Sequence, residues 1–494
     1  MKNKYIKNCV GAIFVLLPII ELIRETSVKD IEIFGISIIE LVNIVLIGIA
    51  FLIFFFSECD KKKKVRFGIY AFLLLIYIIL HCINNLKFDT SIYLDASPNW
   101  VTESYYILRQ YGLPIILLIM LSECKDLFDE DFYSKIVKYL VCLISGSVVV
   151  LNLCRYSYSS YLMNAEGIHE INRTCFLDIF GYSGNAKELL TSGLFPSANR
   201  LSIILFMLLP LNIKNFYKDN KISNMLLVCL QVLSMVIVGT KTAAYGALLT
   251  VLALMLAYIF FVAVKHSKYK FNKYFLRLTI IVVFAIVTVF TLPFSKLSSL
   301  SVKIEDKLST EHQEIYDSID DVEIKDLEQY LIDNEKVFKI SKSFFEIYPV
   351  ESDPTFWVSV AKRGRTLNND NRVMKQTIMA RVEERNNNPL DKYLGMGYTV
   401  NFIDGERDYV YQYYLFGICG IIILMGPYIV EYIKKIIVFF SKRGFNYESC
   451  FNLLAGFVGL AGAYFSGHLF GWTAPMFILA FVISSHEEGE SNES

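Results

Sequence analysis

The chain has 494 residues, of which 54% are hydrophobic, 15% aromatic and only 19% charged, with 48 basic against 48 acidic residues and a mean hydropathy of +0.44. A soluble chain of this length carries more charge and fewer uninterrupted apolar runs, so the composition excludes an ordinary globular enzyme and points to a polytopic membrane protein. Zero net charge without a basic stripe excludes a nucleic-acid partner, and ten cysteines without a C-x-x-C pair argue against a zinc or redox framework.

A bilayer core about 30 Å thick needs roughly 20 mostly apolar residues per helix. Twelve charge-bounded runs come close to that: 5–23, 36–56, 67–83, 106–121, 136–154, 201–217, 222–239, 243–264, 278–294, 409–430, 450–465 and 469–484. The first carries Lys7 and Glu21 and is followed by no A-x-A-like site, so it reads as an anchor. The last two are short enough to form one re-entrant hairpin. Lysine and arginine in short loops stay cytoplasmic. Lys2, Lys4 and Lys7, the run Lys61 to Lys64 with Arg66, the set Lys265, Lys268, Lys270, Lys273 and Arg277, and the group Lys434, Lys435, Lys442 and Arg443 all fall inside if there are twelve spans. Both termini are then cytoplasmic, including the tail 485–494.

That orientation puts three polar segments outside: 84–105, 155–200 and 295–408. Nine helices and two outer loops thus fill 1–294, and three more helices fill 409–484. The third segment is too long for a tether, and loops of that length are usually functional or disordered. It also changes sign. Residues 301–353 hold 15 acidic against 6 basic side chains, a net of −9; residues 354–392 hold 4 against 8, a net of +4. The acidic half, from Glu305 to Asp326, reads as a solvated amphipathic helical region. Cys154 and Cys175 are the two cysteines that can meet outside.

Charge retained near hydrocarbon is costly and marks a site when several such groups converge. On the outer side Arg109 lies one turn inside the fourth span, Arg200 heads the sixth, Lys241 lies in GTKTAAYG, and His468 in the turn SGHLFGW. Glu406, Arg407 and Asp408 precede the tenth span and the tyrosines 409, 411, 413 and 414. Each alone reads equally as a snorkelling or interfacial residue. Together, cations from several helices at one membrane face suit a phosphate or diphosphate at the lipid–water boundary. G-x-x-x-x-G-K-[ST], H-E-x-x-H and G-x-S-x-G are all absent, so energy for a group transfer must reside in the substrate.

Four stretches in order resemble the O-antigen polymerase and O-antigen ligase superfamily: SGLFPSANRLSIILFMLLPL (192–211), VGTKTAAYGALL (238–249), NRVMKQTIMARVEERNNNPLDKYLGMGY (371–398) and GERDYVYQYYLFGICG (405–420). The resemblance implies an all-α polytopic bundle of about 12 transmembrane helices, similar to GT-C glycosyltransferases, with one large extracytoplasmic loop. It also implies a membrane glycosyltransferase that moves a glycan from undecaprenyl diphosphate to an acceptor hydroxyl, with no metal or cofactor. Membrane lipids, a flippase and a chain-length regulator are the implied partners. Asn199, Arg200, Lys241, Arg372 and Arg407 would bind the diphosphate substrate, and Glu406 or Asp408 would act as base. Lys241 stands where the superfamily has arginine, losing a bidentate fork. Glu406 stands where ligase-like members often have histidine, which favours polymerisation of lipid-linked repeats. A glycan ligase with a different acceptor and a lipid-linked glycan transporter remain as alternatives.

Overall fold

The computed structural model describes residues 2–23, 32–33, 36–56, 61–92, 96–163, 169–181, 183–265, 270–295, 310–400, 403, 405, 407–441, 444–465 and 467–485. Glu305, Glu406, Lys268, Lys442 and Arg443 lie outside them. In chain order the larger elements begin with α1 (Lys2–Ile23), the short strands β1 (Glu32–Ile33) and β2 (Ile36–Ser37), α2 (Ile38–Phe56) and α3 (Lys61–Asn85). Helix α4 (Trp100–Ile107) runs through a π turn, Leu108–Gly112, into α5 (Leu113–Glu123), followed by α6 (Glu130–Leu153). Strands β3 (Ser157–Met163), β4 (His169–Asn172) and β5 (Thr191–Gly193) precede α7 (Ala198–Lys218), α8 (Ile222–Val238), α9 (Lys241–Val264) and α10 (Lys273–Thr291).

The large loop holds α11 (Thr310–Asp317), α12 (Ile324–Asp333), α13 (Glu335–Phe338), α14 (Ser343–Ile347), α15 (Pro354–Lys362), α16 (Arg365–Asn368), α17 (Asn371–Asn386) and α18 (Asp391–Leu394). Then come α19 (Asp408–Gly420), which passes through a second π turn into α20 (Gly426–Phe440), α21 (Tyr447–Phe465) and α22 (Thr473–Ser484).

Each of the twelve apolar runs falls on a helix, but the number long and apolar enough to cross a membrane is seven among the described residues: Lys61–Asn85, Trp100–Glu123, Glu130–Leu153, Lys241–Val264, Lys273–Thr291, Asp408–Phe440 and Tyr447–Phe465. Four others are apolar over shorter stretches, Tyr5–Ile20, Ile47–Phe56, Ile222–Val238 and Thr473–Ser484. At 1.5 Å per residue, a 17-residue helix such as α8 covers about 25 Å, short of the hydrocarbon core. Helix α7 falls short for a different reason. Neighbours α6, α8, α9 and α21 pack around it, and it buries Asn212, Lys214 and Asn215 along with its apolar side chains. Polar residues are tolerated there because they meet protein rather than lipid: Asn212 Nδ2 donates to Gln231 Oε1 at 2.9 Å, and Gln231 Nε2 donates to the Leu205 carbonyl at 2.9 Å, in the turn before Pro210.

The molecule divides into two compact units. The first comprises Met1–Ile69, Arg109–Leu300 and Gly426–Ser494, the second Tyr70–Leu108 and Ser301–Met425. At one end of the first unit basic groups are tied down. Lys7 reaches both oxygens of Asp129 at 3.0 Å, Arg66 pairs with Glu123 at 3.3 Å, and Lys214 and Lys218 share Glu130 and Glu448. The buried Lys435 donates to the Ser485 carbonyl at 2.8 Å and closes the C-terminus of α22.

At the opposite end of that unit the all-α bundle carries a small sheet that the sequence reading did not anticipate. Residues 155–200 build an antiparallel sheet in the order β4-β3-β5, in which Tyr158 pairs with Ile171 on one side and Gly193 on the other. The alternation SYSSYL carries that strand, and helix counting passes over it. Cys154 and Cys175 are both free thiols: Cys154 is exposed, whereas Cys175 turns inward to cap the 3-10 helix Phe176–Phe180.

In the second unit the large loop is a packed body. Its core joins Ile319, Leu327 and Leu331 from the acidic half to Phe338, Phe345, Trp357, Met374, Ile378 and Val382, with Phe88 and Ile92 from residues 84–105. Trp357 is fully buried, donates Nε1–H to the Tyr348 carbonyl at 3.1 Å and meets Phe345 edge-on at 4.8 Å. Arginines of the basic half hold the helices together: Arg381 bonds Asp353 at 2.7 Å, Arg385 donates to the Tyr348 hydroxyl at 2.6 Å and the Ser352 carbonyl at 3.0 Å, and Arg365 donates to the Val337 carbonyl at 3.0 Å.

Candidate functional site

In the first unit three helices begin around one turn. Ser197 caps α7 through the Arg200 N–H at 3.4 Å, and Thr240 caps α9 through the Ala243 N–H at 3.1 Å. One turn into α7, the Ser202 hydroxyl meets the Thr240 hydroxyl at 2.6 Å, so Asn199, Arg200 and Lys241 open neighbouring helices. Gly239, with φ 74°, makes that approach possible: an added Cβ there falls 2.4 Å from a Leu190 methyl. The Arg200 guanidinium lies 3.2 Å from the ring centroid of Trp472, the residue that starts α22. The Gln110 amide donates to the Gly471 carbonyl just before it, which brings the π turn with Arg109 to the same place. Gly467, His468 and Gly471 all adopt positive φ in the turn, an arrangement that folds the chain tightly just ahead of Trp472.

An arrangement of this kind has the chemistry to hold an anion. Helix N-termini carry partial positive charge and unpaired N–H groups, and Arg109, Arg200 and the exposed Lys241 add full charges. Stacking on Trp472 fixes the Arg200 plane. Asn199 is half-buried beside it.

In the second unit the third and fourth stretches lock together through their backbones. Helix α19 is broken at Gly417, with φ 64° and ψ −175°. The break leaves carbonyls without helical partners, and each finds another. Met396 N–H donates to Tyr414 O at 2.9 Å, Gly397 N–H to Leu415 O at 3.0 Å, and the Tyr77 hydroxyl to Phe416 O at 2.8 Å. Contact this close requires glycine: a Cβ on Gly395 falls 2.1 Å from Leu415 O, and one on Gly397 falls 2.2 Å from Asn85 Nδ2. The segment is held from its other side by the ends of α3 and α4. Glu103 accepts the N–H groups of Tyr398 and Thr399, both at 2.8 Å, and pairs with the buried His81 at 2.9 Å. Asn85 donates to Met396 O at 2.8 Å, and Asn84 to Gly395 O at 2.9 Å and Asp391 at 2.8 Å.

This framework sets the remaining expected residues. Arg407 precedes α19 and is half-buried, Asp408 opens that helix and is buried, and Glu406 lies outside the described residues. Arg372 opens α17, where Asp370 caps the helix through the Arg372 N–H at 2.9 Å. Helices α17 and α19 meet near the far end of α17, where the Tyr413 hydroxyl donates to Glu383 at 3.4 Å. The structure therefore brings Asn199, Arg200 and Lys241 together with Arg109 in one unit, while Arg372, Arg407 and Asp408 belong to the other. Sequence reasoning missed Trp472, Gln110, Glu383 and the His81–Glu103 pair. Trp472 had a signal, as the last letter of the turn that holds His468; Glu383, one of two adjacent glutamates in a basic stretch, had none.

The family model described as O-antigen ligase like membrane protein matches residues 2–486, nearly the whole chain. The chain belongs to that family. No curated protein and no solved structure matches it. As an O-antigen ligase like membrane protein it is a multi-pass membrane protein with a glycan-processing role, and the four motif stretches that resemble the superfamily are the ones that form the two locked pairs described above.

Proposed function

We propose that this protein is a membrane glycosyltransferase that polymerises undecaprenyl-diphosphate-linked oligosaccharide repeats on the outer face of the cytoplasmic membrane. The observation that carries the reading is the meeting of Arg200 and Lys241, at the N-termini of α7 and α9, with the start of α22, against which the π turn that holds Arg109 is tied. Departure of a lipid diphosphate builds negative charge, and preorganised cations aimed at it lower the barrier. Arg200 and Lys241 hold the leaving group in this reading, and Arg372 and Arg407 are the substrate-binding candidates that belong to the second unit. An acceptor hydroxyl attacks the anomeric carbon and loses its proton to a carboxylate, for which Glu406 and Asp408 are the sequence candidates. Twelve spans with both termini inside complete the proposal. Transfer to a chemically different acceptor draws equal support from the ligase description of the family.

The test uses purified protein in liposomes with the lipid-linked repeat that accumulates in host cells when this chain is deleted. A polymerase yields a ladder of lipid-linked products from that substrate alone, without added nucleotide. Product that forms only with a foreign acceptor assigns the ligase activity instead, and passage across the bilayer without joining assigns a transporter. Arg200→Ala and Lys241→Ala each lower the rate on the order of 10² to 10³, about 2.7 to 4 kcal/mol of barrier. Lys241→Arg retains activity. Normal ladders from both alanine variants show that the two cations do no more than face the headgroups.

A further inference from the structure

The geometry points to Glu383, on the loop helix α17, as the group that takes the proton from the acceptor hydroxyl. The inference rests on the glycosyl-transfer reading and names a residue that neither the motifs nor the charge pattern singled out. Glu383 Oε1 accepts from the Tyr413 hydroxyl at 3.4 Å, a long contact of the kind that tightens when substrate arrives. Its second oxygen has no hydrogen bond among the described residues, so one oxygen is anchored and the other is open. The side chain is half-buried. Asp391, by contrast, is buried and accepts from the amides of Asn84, Asn386 and Asn388 at 2.8, 2.6 and 3.1 Å.

Arg372 and Glu383 are eleven residues apart on one helix, about 20° beyond three full turns, and so share a face. Their separation along the axis is about 16 Å, which two long side chains and the sugar ring between them can close.

The electrostatics agree with the geometry. Burial first, then the neighbouring Asp391 carboxylate, push the Glu383 carboxyl above its ordinary range, against the opposing pull of Lys392 and the Tyr413 hydrogen bond. The charged and titratable groups that act on it are Asp391 and Lys392 on the segment after α17 and Tyr413 on α19, with Tyr414 beside them. A carboxylate of raised basicity beside a reachable face is suited to general-base work. In the step, the acceptor oxygen bonds to the anomeric carbon while the bond from that carbon to the diphosphate oxygen breaks. The electron pair of that bond leaves with the diphosphate. The hydroxyl proton passes to Glu383, which later returns it to water.

The experiment compares Glu383→Gln, Glu383→Asp, Tyr413→Phe, Glu406→Gln and Asp408→Asn in the liposome assay. Glu383→Gln is expected to slow transfer roughly 10²-fold or more with half-saturation unchanged, and Glu383→Asp to restore part of the rate. Wild-type activity falls on the acid side as Glu383 protonates. Tyr413→Phe removes a donor that favours the charged carboxylate, so its acid limb moves to higher pH. A structural role for Glu383 does not produce that displacement. A wild-type rate in Glu383→Gln, or an unmoved acid limb in Tyr413→Phe, overturns the inference while leaving the ladder and the transferase reading intact. If Glu383→Gln fails to accumulate in membranes, the Tyr413→Phe pH profile still decides. No transfer by wild-type protein to either acceptor overturns both.

Discussion

Among single residues, Asp353 shows most directly how the large loop stays folded. It is buried, which by itself raises the carboxyl pKa, yet the Arg381 bond, the Phe356 N–H and the Tyr348 hydroxyl outweigh burial and hold it below the ordinary value of 3.8. A group depressed in the folded state contributes stability above its unfolded pKa, about 3.9, and loses it as pH falls through the lower folded value. Asp353→Asn should therefore cost about 2 kcal/mol at pH 7, as expected for hydrogen bonds to a charged group. The measurement is the thermal midpoint of both proteins by tryptophan fluorescence. The gap between them narrows as pH falls below the ordinary carboxylate range, and a gap that stays constant down to pH 2.5 refutes this account. Nothing in the sequence marks Asp353 or Arg381, because their pairing depends on a 28-residue separation that no local pattern encodes.

At the level of elements, the informative structure is the broken helix α19. Its glycines were visible in GERDYVYQYYLFGICG and PLDKYLGMGY, but the reason for them was not. Gly417 opens the helix, and the backbone around Gly395 and Gly397 supplies the donors that the opened carbonyls lack. Gly395 sits at φ 80° with no space for a Cβ, so Gly395→Ala should destabilise by roughly 1–3 kcal/mol or prevent accumulation. Gly146→Ala in α6 meets nothing within 4 Å and is the control, expected to be neutral or slightly stabilising. Equal midpoints for the two variants in detergent would mean that this backbone stitching is absent. Apolar runs, by contrast, were legible as helices throughout, because a twenty-residue apolar segment leaves the chain few alternatives. The β3–β5 sheet was not, since its strands are short and lie in a segment too polar for that pattern.

For the molecule as a whole, the basic residues that sequence reasoning placed inside, such as Lys7 and Arg66, cluster with Asp129, Glu123 and Glu130 at one end of the first unit. Arg200 and Lys218 sit at opposite ends of α7, about 27 Å apart along its axis, so the Arg200–Lys241 site and this cluster lie at opposite ends of the first unit. In intact cells a membrane-impermeant thiol reagent should label a cysteine at the exposed Glu328, in α12, but not one at Lys62. Labelling at Lys62 from outside, or none at Glu328, reverses the orientation. The stitching of residues 395–399 to Asn84, Asn85, Glu103 and α19 also bears on how such proteins diversify. A hybrid that exchanges the large loop alone leaves its new glycines facing foreign partners at every one of these points. Viable hybrids between family members should exchange 84–103 together with 371–425, so the large loop is inherited with the segments that hold it rather than as a free-standing cassette.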